Sequence, residues 1–328
     1  MKVHVFGNSP SPAVATYGLR RTAREGEEEF GSDVRQFIER DFYVDDGLKS
    51  LSKDKDAISL IRRTQQMLAA SNLKLHKIAS NSPTVLEAFP EEDRAKDLKD
   101  LDLCNGSQPI QRSLGVSWNL KKDVFTFTTP IQEKPFTRHG VLSVVNSLYD
   151  PLGFVAPVII QGKSLLRELV TETCDWDCPL PDDKIAAWET WKDSLQVIEH
   201  LDIPRTYAPA SLTTAECKEL HIFSDASTKA VAAVAYLRVT YPDGACHVRF
   251  VIGKAQLAPH PEHTIPRLEL CGAVLAVELV ELISREIDME VDAVNFYTDS
   301  KVVLGYIHNE TRRFLCMSAT GWNASGAL

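Results

Sequence analysis

The six residues FYVDDG, Phe42–Gly47, run an aromatic and β-branched strand signal straight into two adjacent carboxylates and a glycine. That order is the pattern of a strand reaching a tight turn. Asp45 and Asp46 cannot neutralise one another at a hairpin tip, so keeping them together is costly unless a cation lies between them. A divalent ion answers the need, because Mg²⁺ takes one or two carboxylates and completes its shell with water and phosphate oxygens. Asp and Gly are also ordinary turn residues. For these six residues alone a solvated turn is the simpler reading, and the flanking sequence has to decide.

Around the turn the chain reads as α/β. Ser32–Asp41, with Val34, Phe37 and Ile38 on one side, predicts a short amphipathic helix feeding the strand. Asp54–Ala70 predicts a longer helix whose stripe of Ala57, Leu60, Ile61, Thr64 and Leu68 packs on a sheet. Residues 81–102 are rich in Asp, Glu and Lys and read as a solvated insertion. Ser117–Thr129 alternates and carries aromatics, as strands do. The opening MKVHVFG reads as the last part of a buried strand.

The second half changes texture after IPRTYAPASLTT, Ile203–Thr214, a proline-rich linker that marks a boundary. Strands are expected at Glu219–Ser227, Ala230–Val239 and His247–Gln256, with a turn at Tyr241–Gly244. A helix follows from about Thr264 to Ile287, with Pro266 tolerated in its first turn. A further strand, Ala293–Ser300, ends in Asp299 and enters another helix. On the long helix Leu268, Cys271, Leu275, Leu279 and Leu282 form one stripe. Glu269 shares its own face with Gly272, Ala273, Ala276 and Val280, so a carboxylate lies on a small apolar surface where it needs a specific partner. Helix-dipole stabilisation of an acid near a helix start is the plainer alternative. The richer one brings Glu269 to Asp225 and Asp299 over a metal pair, with the three carboxylates within ~8 Å of one another.

Composition sets bounds. The 328 residues, 44% of them apolar, suffice for two domains or slightly more. A net charge of −9 argues against a protein that grips nucleic acid through a broad basic field, although a site built of carboxylates with local basic contacts is compatible with it. Seven scattered cysteines, only Cys174 and Cys178 being close, read as reduced thiols rather than a zinc site. No apolar run approaches the ~18 residues of a membrane helix, and the first thirty lack the plan of a signal peptide. An intracellular protein, cytoplasmic or nuclear and with no membrane partner, is expected.

FYVDDG resembles the Tyr-x-Asp-Asp hairpin of reverse transcriptases. The flanks are similar in the same order: Phe6, Gly7, Ser11 and Pro12 in the segment under template and incoming nucleotide, Leu73–Pro83 with Lys77 near the nucleotide phosphates, and Ser113–Trp118 as the primer grip. Asp225 in Ser-Asp-Ala-Ser, Glu269 in Arg-Leu-Glu-Leu and Asp299 in Thr-Asp-Ser resemble three of the four acids of ribonuclease H. Between them, Arg138–Val170 reads as a helix to about Tyr149, a turn at Asp150–Gly153 and a second helix from Val155–Pro157. It strongly resembles the connecting region of BEL/Pao retrotransposon Pol polyproteins. That region often carries a peptidase label, but an aspartic peptidase needs Asp-Thr-Gly or Asp-Ser-Gly loops and the chain has neither.

The resemblance implies an α+β reverse transcriptase palm remnant with primer grip over 1–130, a helical thumb and connection over 131–212, and a ribonuclease H-like mixed sheet with flanking helices over 213–314. Lys163, Arg167, Lys184 and Lys192 are candidate phosphate contacts in the connection. It further implies Mg²⁺ (or Mn²⁺) at Asp45, Asp46, Asp225, Glu269 and Asp299, with RNA template, DNA primer, deoxynucleotides and RNA–DNA hybrid as partners. The family's third polymerase acid and fourth nuclease acid have no counterpart here, and 315–328 reads as an aberrant tail. Impaired activity is therefore expected, and a non-catalytic nucleic-acid-binding remnant is the rival reading.

Overall fold

The computed structural model describes residues 10–44, 46–95, 110–113, 116–127, 134–172, 175–180, 182–259 and 263–309. The chain is α/β, with helices and several sheets, as expected. It divides into two compact units, Met1–Thr128 with Glu199–Thr206, and Thr129–Ile198 with Tyr207–Leu328. The expected strand at MKVHVFG lies outside the described residues, as do Phe6 and Gly7.

The first unit opens with α1 (Ser11–Glu25), α2 (Glu27–Phe30) and α3 (Ser32–Arg40), then β1 (Phe42–Tyr43), β2 (Asp46–Gly47) and α4 (Asp54–Ala70). The hairpin is real but short, pairing Phe42 with Gly47 and Tyr43 with Asp46. A Cβ on Gly47 would come within 2.6 Å of the Phe42 ring, so a side chain there would displace the ring that covers it. Val34, Phe37 and Ile38 are buried with Ala23, Leu60, Met67 and Leu68. The α4 stripe thus packs on helices and not on a sheet, which corrects the expectation. Its other flank, Ala57 and Ile61, meets Ile78, Val85 and Phe89.

Of the solvated insertion expected at 81–102, residues 96–102 lie outside the described residues, and 81–95 are not solvated throughout. They form α5 (Pro83–Glu87) and a 3₁₀ turn at Glu91–Asp93, with Val85, Leu86, Phe89 and Ala95 buried. Charge counting misled because Glu87, Glu91 and Glu92 line the outer side of a short amphipathic segment whose apolar side is in the core. Strands β3 (Ile110–Ser113), β4 (Val116–Asn119), β5 (Val124–Thr126) and β6 (Ile203–Pro204) form an antiparallel sheet in that order. Arg205, just beyond β6, fastens it with two bonds to the Asp123 carboxylate at 2.7 and 2.8 Å.

The second unit begins with α6 (Arg138–Ser147), α7 (Ala156–Glu172) and α8 (Ile185–Ile198). It continues through β7 (Cys217–Ala226), β8 (Ala230–Thr240), β9 (Cys246–Leu257), α9 (Ile265–Glu286), β10 (Ala293–Tyr297) and α10 (Lys301–His308). The sheet order is β10-β7-β8-β9, with β10 parallel to β7 and the others antiparallel. Alternation decides its faces. Leu220 and Ile222 of β7 and Val231, Ala233, Ala235, Leu237 and Val239 of β8 are buried beneath α9, while His221, Phe223 and Asp225 point the other way.

On α9 the buried residues are Leu268, Gly272, Leu275, Ala276, Leu279 and Ile283, and Leu282 is only half-buried. The sequence stripe therefore needs rotating toward the small residues. Gly272 explains why: a Cβ there would be 3.4 Å from the Asp225 carbonyl oxygen, so the helix lies close on β7.

On the opposite face α7 lies against β9. The Asp150–Gly153 turn docks there, the Gly253 N–H donating to the Leu152 carbonyl at 2.8 Å. The Asp150 carboxylate accepts from the backbone N–H groups of Gly153, Phe154 and Val155 at 3.0, 2.9 and 2.8 Å. Arg167, expected as a phosphate contact, instead donates to the Ala258 carbonyl at 2.6 Å and holds the end of β9. Lys192 pairs with Glu189 at 2.9 Å and lies over the Trp188 ring.

Candidate metal centre

Three elements deliver one carboxylate each. Asp225 stands near the end of β7, Glu269 in the second turn of α9, and Asp299 two residues beyond β10. The parallel pairing of β10 with β7 brings both strands out at the same end of the sheet. Close approach at Gly272 lays the start of α9 over that end. Ser300 then turns the chain into α10, its hydroxyl accepting from the Val303 N–H at 3.3 Å.

One ligand oxygen from each of Asp225, Glu269 and Asp299 lies within 4.8 Å of the others. Among the described residues no other group of three or more His, Cys, Asp or Glu side chains is so placed. Asp225 and Asp299 are exposed and Glu269 is half-buried. Glu269 Oε2 is shut off from solvent and has no hydrogen-bond partner among the described residues. Burial first, then the negative charges of Asp299 and Asp225, hold its carboxyl above the ordinary Glu range.

Such a set fits a hard divalent cation. All donors are carboxylate oxygens, the charge is uncompensated, and a buried oxygen is left without a partner. The expected convergence of these three acids is thus present in the geometry.

The polymerase-motif residues are placed differently. Asp46 is exposed on β2, Asp45 lies outside the described residues, and Lys77 is exposed in a left-handed backbone conformation at φ 61°. The acidic cluster includes neither Asp46 nor Lys77. The Leu73–Pro83 segment holds one parallel bridge, Ile78 to Arg94. Ser113–Trp118 does turn back on itself, Ser113 pairing with Val116.

Sequence reasoning missed the aromatic surface beside the acids. Tyr297 stacks on Phe223 and on His221, and Tyr236 meets Phe223 and Phe250 edge-on. The strand period of two was the available signal, since it puts Phe223 on the face of Asp225.

A four-stranded mixed sheet crossed by one long helix, with an acid from a strand, a helix and a second strand at one point, defines a ribonuclease H-like domain. The chain belongs to the Pao retrotransposon-like RNaseH-like domain family, whose model matches residues 137–300, half the chain. The match takes in all three acids and spans α6–α8 and the four-stranded sheet as one RNaseH-like region. Among solved structures, a foamy viral protease–reverse transcriptase in complex with double-stranded DNA is similar at 14% identity and a TM-score of 0.45, over 90% of this chain. This chain spans 44% of that one. No curated protein matches the sequence. No helix among the described residues is long and apolar enough to cross a membrane.

Proposed function

We propose that the second unit is a divalent-metal-dependent nuclease that cuts the RNA strand of an RNA–DNA hybrid, with Asp225, Glu269 and Asp299 holding Mg²⁺ and Mn²⁺ serving in its place. The observation that carries this reading is the convergence of three carboxylates within 4.8 Å around a buried, partnerless Glu269 oxygen. When bound, divalent cations supply an activated water and neutralise charge on the phosphoryl oxygens. The chain's own part is placement. Exposed Asp225 and Asp299 would hold the cation where a phosphate can reach it, and half-buried Glu269 would complete the carboxylate set. Asp225, on the strand that both β10 and α9 contact, would hold the cation together with Glu269 and Asp299.

Within the same reading, 1–130 is a reverse transcriptase palm and primer grip and 131–212 a thumb and connection leading to the nuclease at 213–314. Asp45, Asp46 and Lys77 then belong to a site for RNA template, DNA primer and deoxynucleotides. Templated deoxynucleotide incorporation lost in Asp46→Asn is the result that supports this part; incorporation indifferent to Asp46→Asn removes it.

The nuclease is tested on the full chain by calorimetric titration with Mn²⁺ and by cleavage of a labelled hybrid. Mn²⁺ binding and feeble scission of the RNA strand in Mn²⁺ are expected. Asp299→Asn should weaken Mn²⁺ about tenfold, as loss of one of three carboxylates does when the others remain. Metal binding indifferent to that change would show that the acids do not form one site. Binding without scission would favour a non-catalytic nucleic-acid-binding remnant.

A further inference from the structure

Tyr297 closes the five-residue parallel ladder between β10 and β7, paired with Phe223 at the last register position. Its ring stacks on Phe223 with centroids 4.6 Å apart and planes inclined by 13°, and on His221 at 5.7 Å and 16°. The Tyr297 hydroxyl and His221 Nδ1 lie 2.8 Å apart. Glu219 Oε2 stands 3.8 Å from the other imidazole nitrogen and accepts from Arg238 Nη1 at 2.9 Å. Tyr297 is 42% exposed and Phe223 43% exposed, so burial in a core does not account for their pairing.

What the stack does follow is the position of the acids. From the Phe223–Tyr297 pair each strand runs two residues on to a carboxylate, Asp225 on one side and Asp299 on the other. Beyond Tyr297 no ladder pair holds β10, so the point at which this ring pins the strand sets how far Asp299 reaches toward Asp225 and Glu269.

We infer that Tyr297, clamped between Phe223 and His221, is a positioning residue for the acidic centre, an inference that rests on the metal-binding role proposed for those acids. The ring stack carries the effect and the hydroxyl bond refines it. Outer-shell groups that orient metal ligands typically change affinity by about 10–100-fold when removed.

The test is Mn²⁺ titration of the full chain by calorimetry, with the thermal midpoint of each metal-free variant measured in parallel. Tyr297→Ala is expected to weaken Mn²⁺ about tenfold, whereas Tyr297→Phe, which keeps the stacked ring, stays within about threefold of the unaltered chain. Phe296→Ala, on the same strand but the opposite face and 51% exposed, should leave the affinity unchanged. Should Tyr297→Ala fold poorly, Tyr297→Leu keeps apolar bulk without the flat ring and carries the same expectation. Unchanged affinity in the Ala or Leu variant, or an equal loss in Phe296→Ala, would overturn the positioning role alone. Absence of Mn²⁺ binding by the unaltered chain would instead remove the metal site itself, and the inference with it.

Discussion

Glu269→Gln is expected to abolish Mn²⁺ binding, by about 100-fold or more, while raising the thermal midpoint of the metal-free chain at neutral pH. The two effects have one cause. Glu269 Oε2 is buried without a hydrogen-bond partner and faces the charges of Asp299 and Asp225, so the folded chain holds its proton more tightly than the unfolded chain does. Stability tied to this carboxyl is fully present below the ordinary Glu value of 4.5 and is lost as pH rises through the higher folded-state value. Above that folded-state value the metal-free chain carries an unfavourable charge. A buried acceptor without a partner costs on the order of 1–3 kcal/mol. Glutamine removes the charge and offers an N–H₂ group to the neighbouring aspartates; recovering ~1 kcal/mol raises the midpoint by about 2–4 °C in a chain region of this size. The same linkage makes Mn²⁺ affinity of the unaltered chain fall, on acidification, at a higher pH than ordinary carboxylates would require. Differential scanning calorimetry between pH 4 and 8 checks the sign. A lower midpoint for Glu269→Gln at pH 7, or retained Mn²⁺ binding, would contradict the account.

Gly153→Val is expected to destabilise the second unit by more than about 3 kcal/mol, a large fraction of an ordinary domain's stability. Gly153 has φ +80°, where a β-branched residue is strained, and a Cβ there would stand 1.9 Å from the Gly253 carbonyl oxygen. Neither side can yield cheaply. The turn is held by three backbone N–H bonds to Asp150 and by the Phe154 ring against Phe250 at 4.7 Å, and Gly253 belongs to β9. Gly305→Ala is the informative contrast. Gly305 lies inside α10 with nothing within 4 Å of an added Cβ, so alanine should stabilise by about 0.5–1 kcal/mol. Urea unfolding of the two variants should move in opposite directions. A Gly153→Val chain as stable as the unaltered one would mean that the turn does not fasten the helices to the sheet.

Elements whose pattern is local could be read directly. Val34, Phe37 and Ile38 announced α3, and Asp54–Ala70 gave the bounds of α4, because a 3.6-residue period survives whatever the helix packs on. Alternation and turn chemistry likewise placed β7, β8 and β9 and the Tyr241–Gly244 turn to within one or two residues. Glu269 was legible as a candidate because its carboxylate lies on a small apolar helix face, and Asp225 and Asp299 because each stands at the end of an expected strand.

Tertiary structure decided the rest, since partners far apart in sequence choose which face of an element is buried. Gly272 against the Asp225 carbonyl rotates the buried side of α9, and that rotation brings Glu269 to the aspartates. Arg167 looked like any exposed cation until the fold set it against the Ala258 carbonyl. Residues 81–95 looked solvated because charge is counted along the chain, whereas Val85, Leu86 and Phe89 are buried by neighbours from other segments. The amino-acid sequence thus determined element types and supplied the reactive groups. Their convergence came from the parallel register of β10 on β7 and the close seat of α9, long-range contacts that no local period encodes.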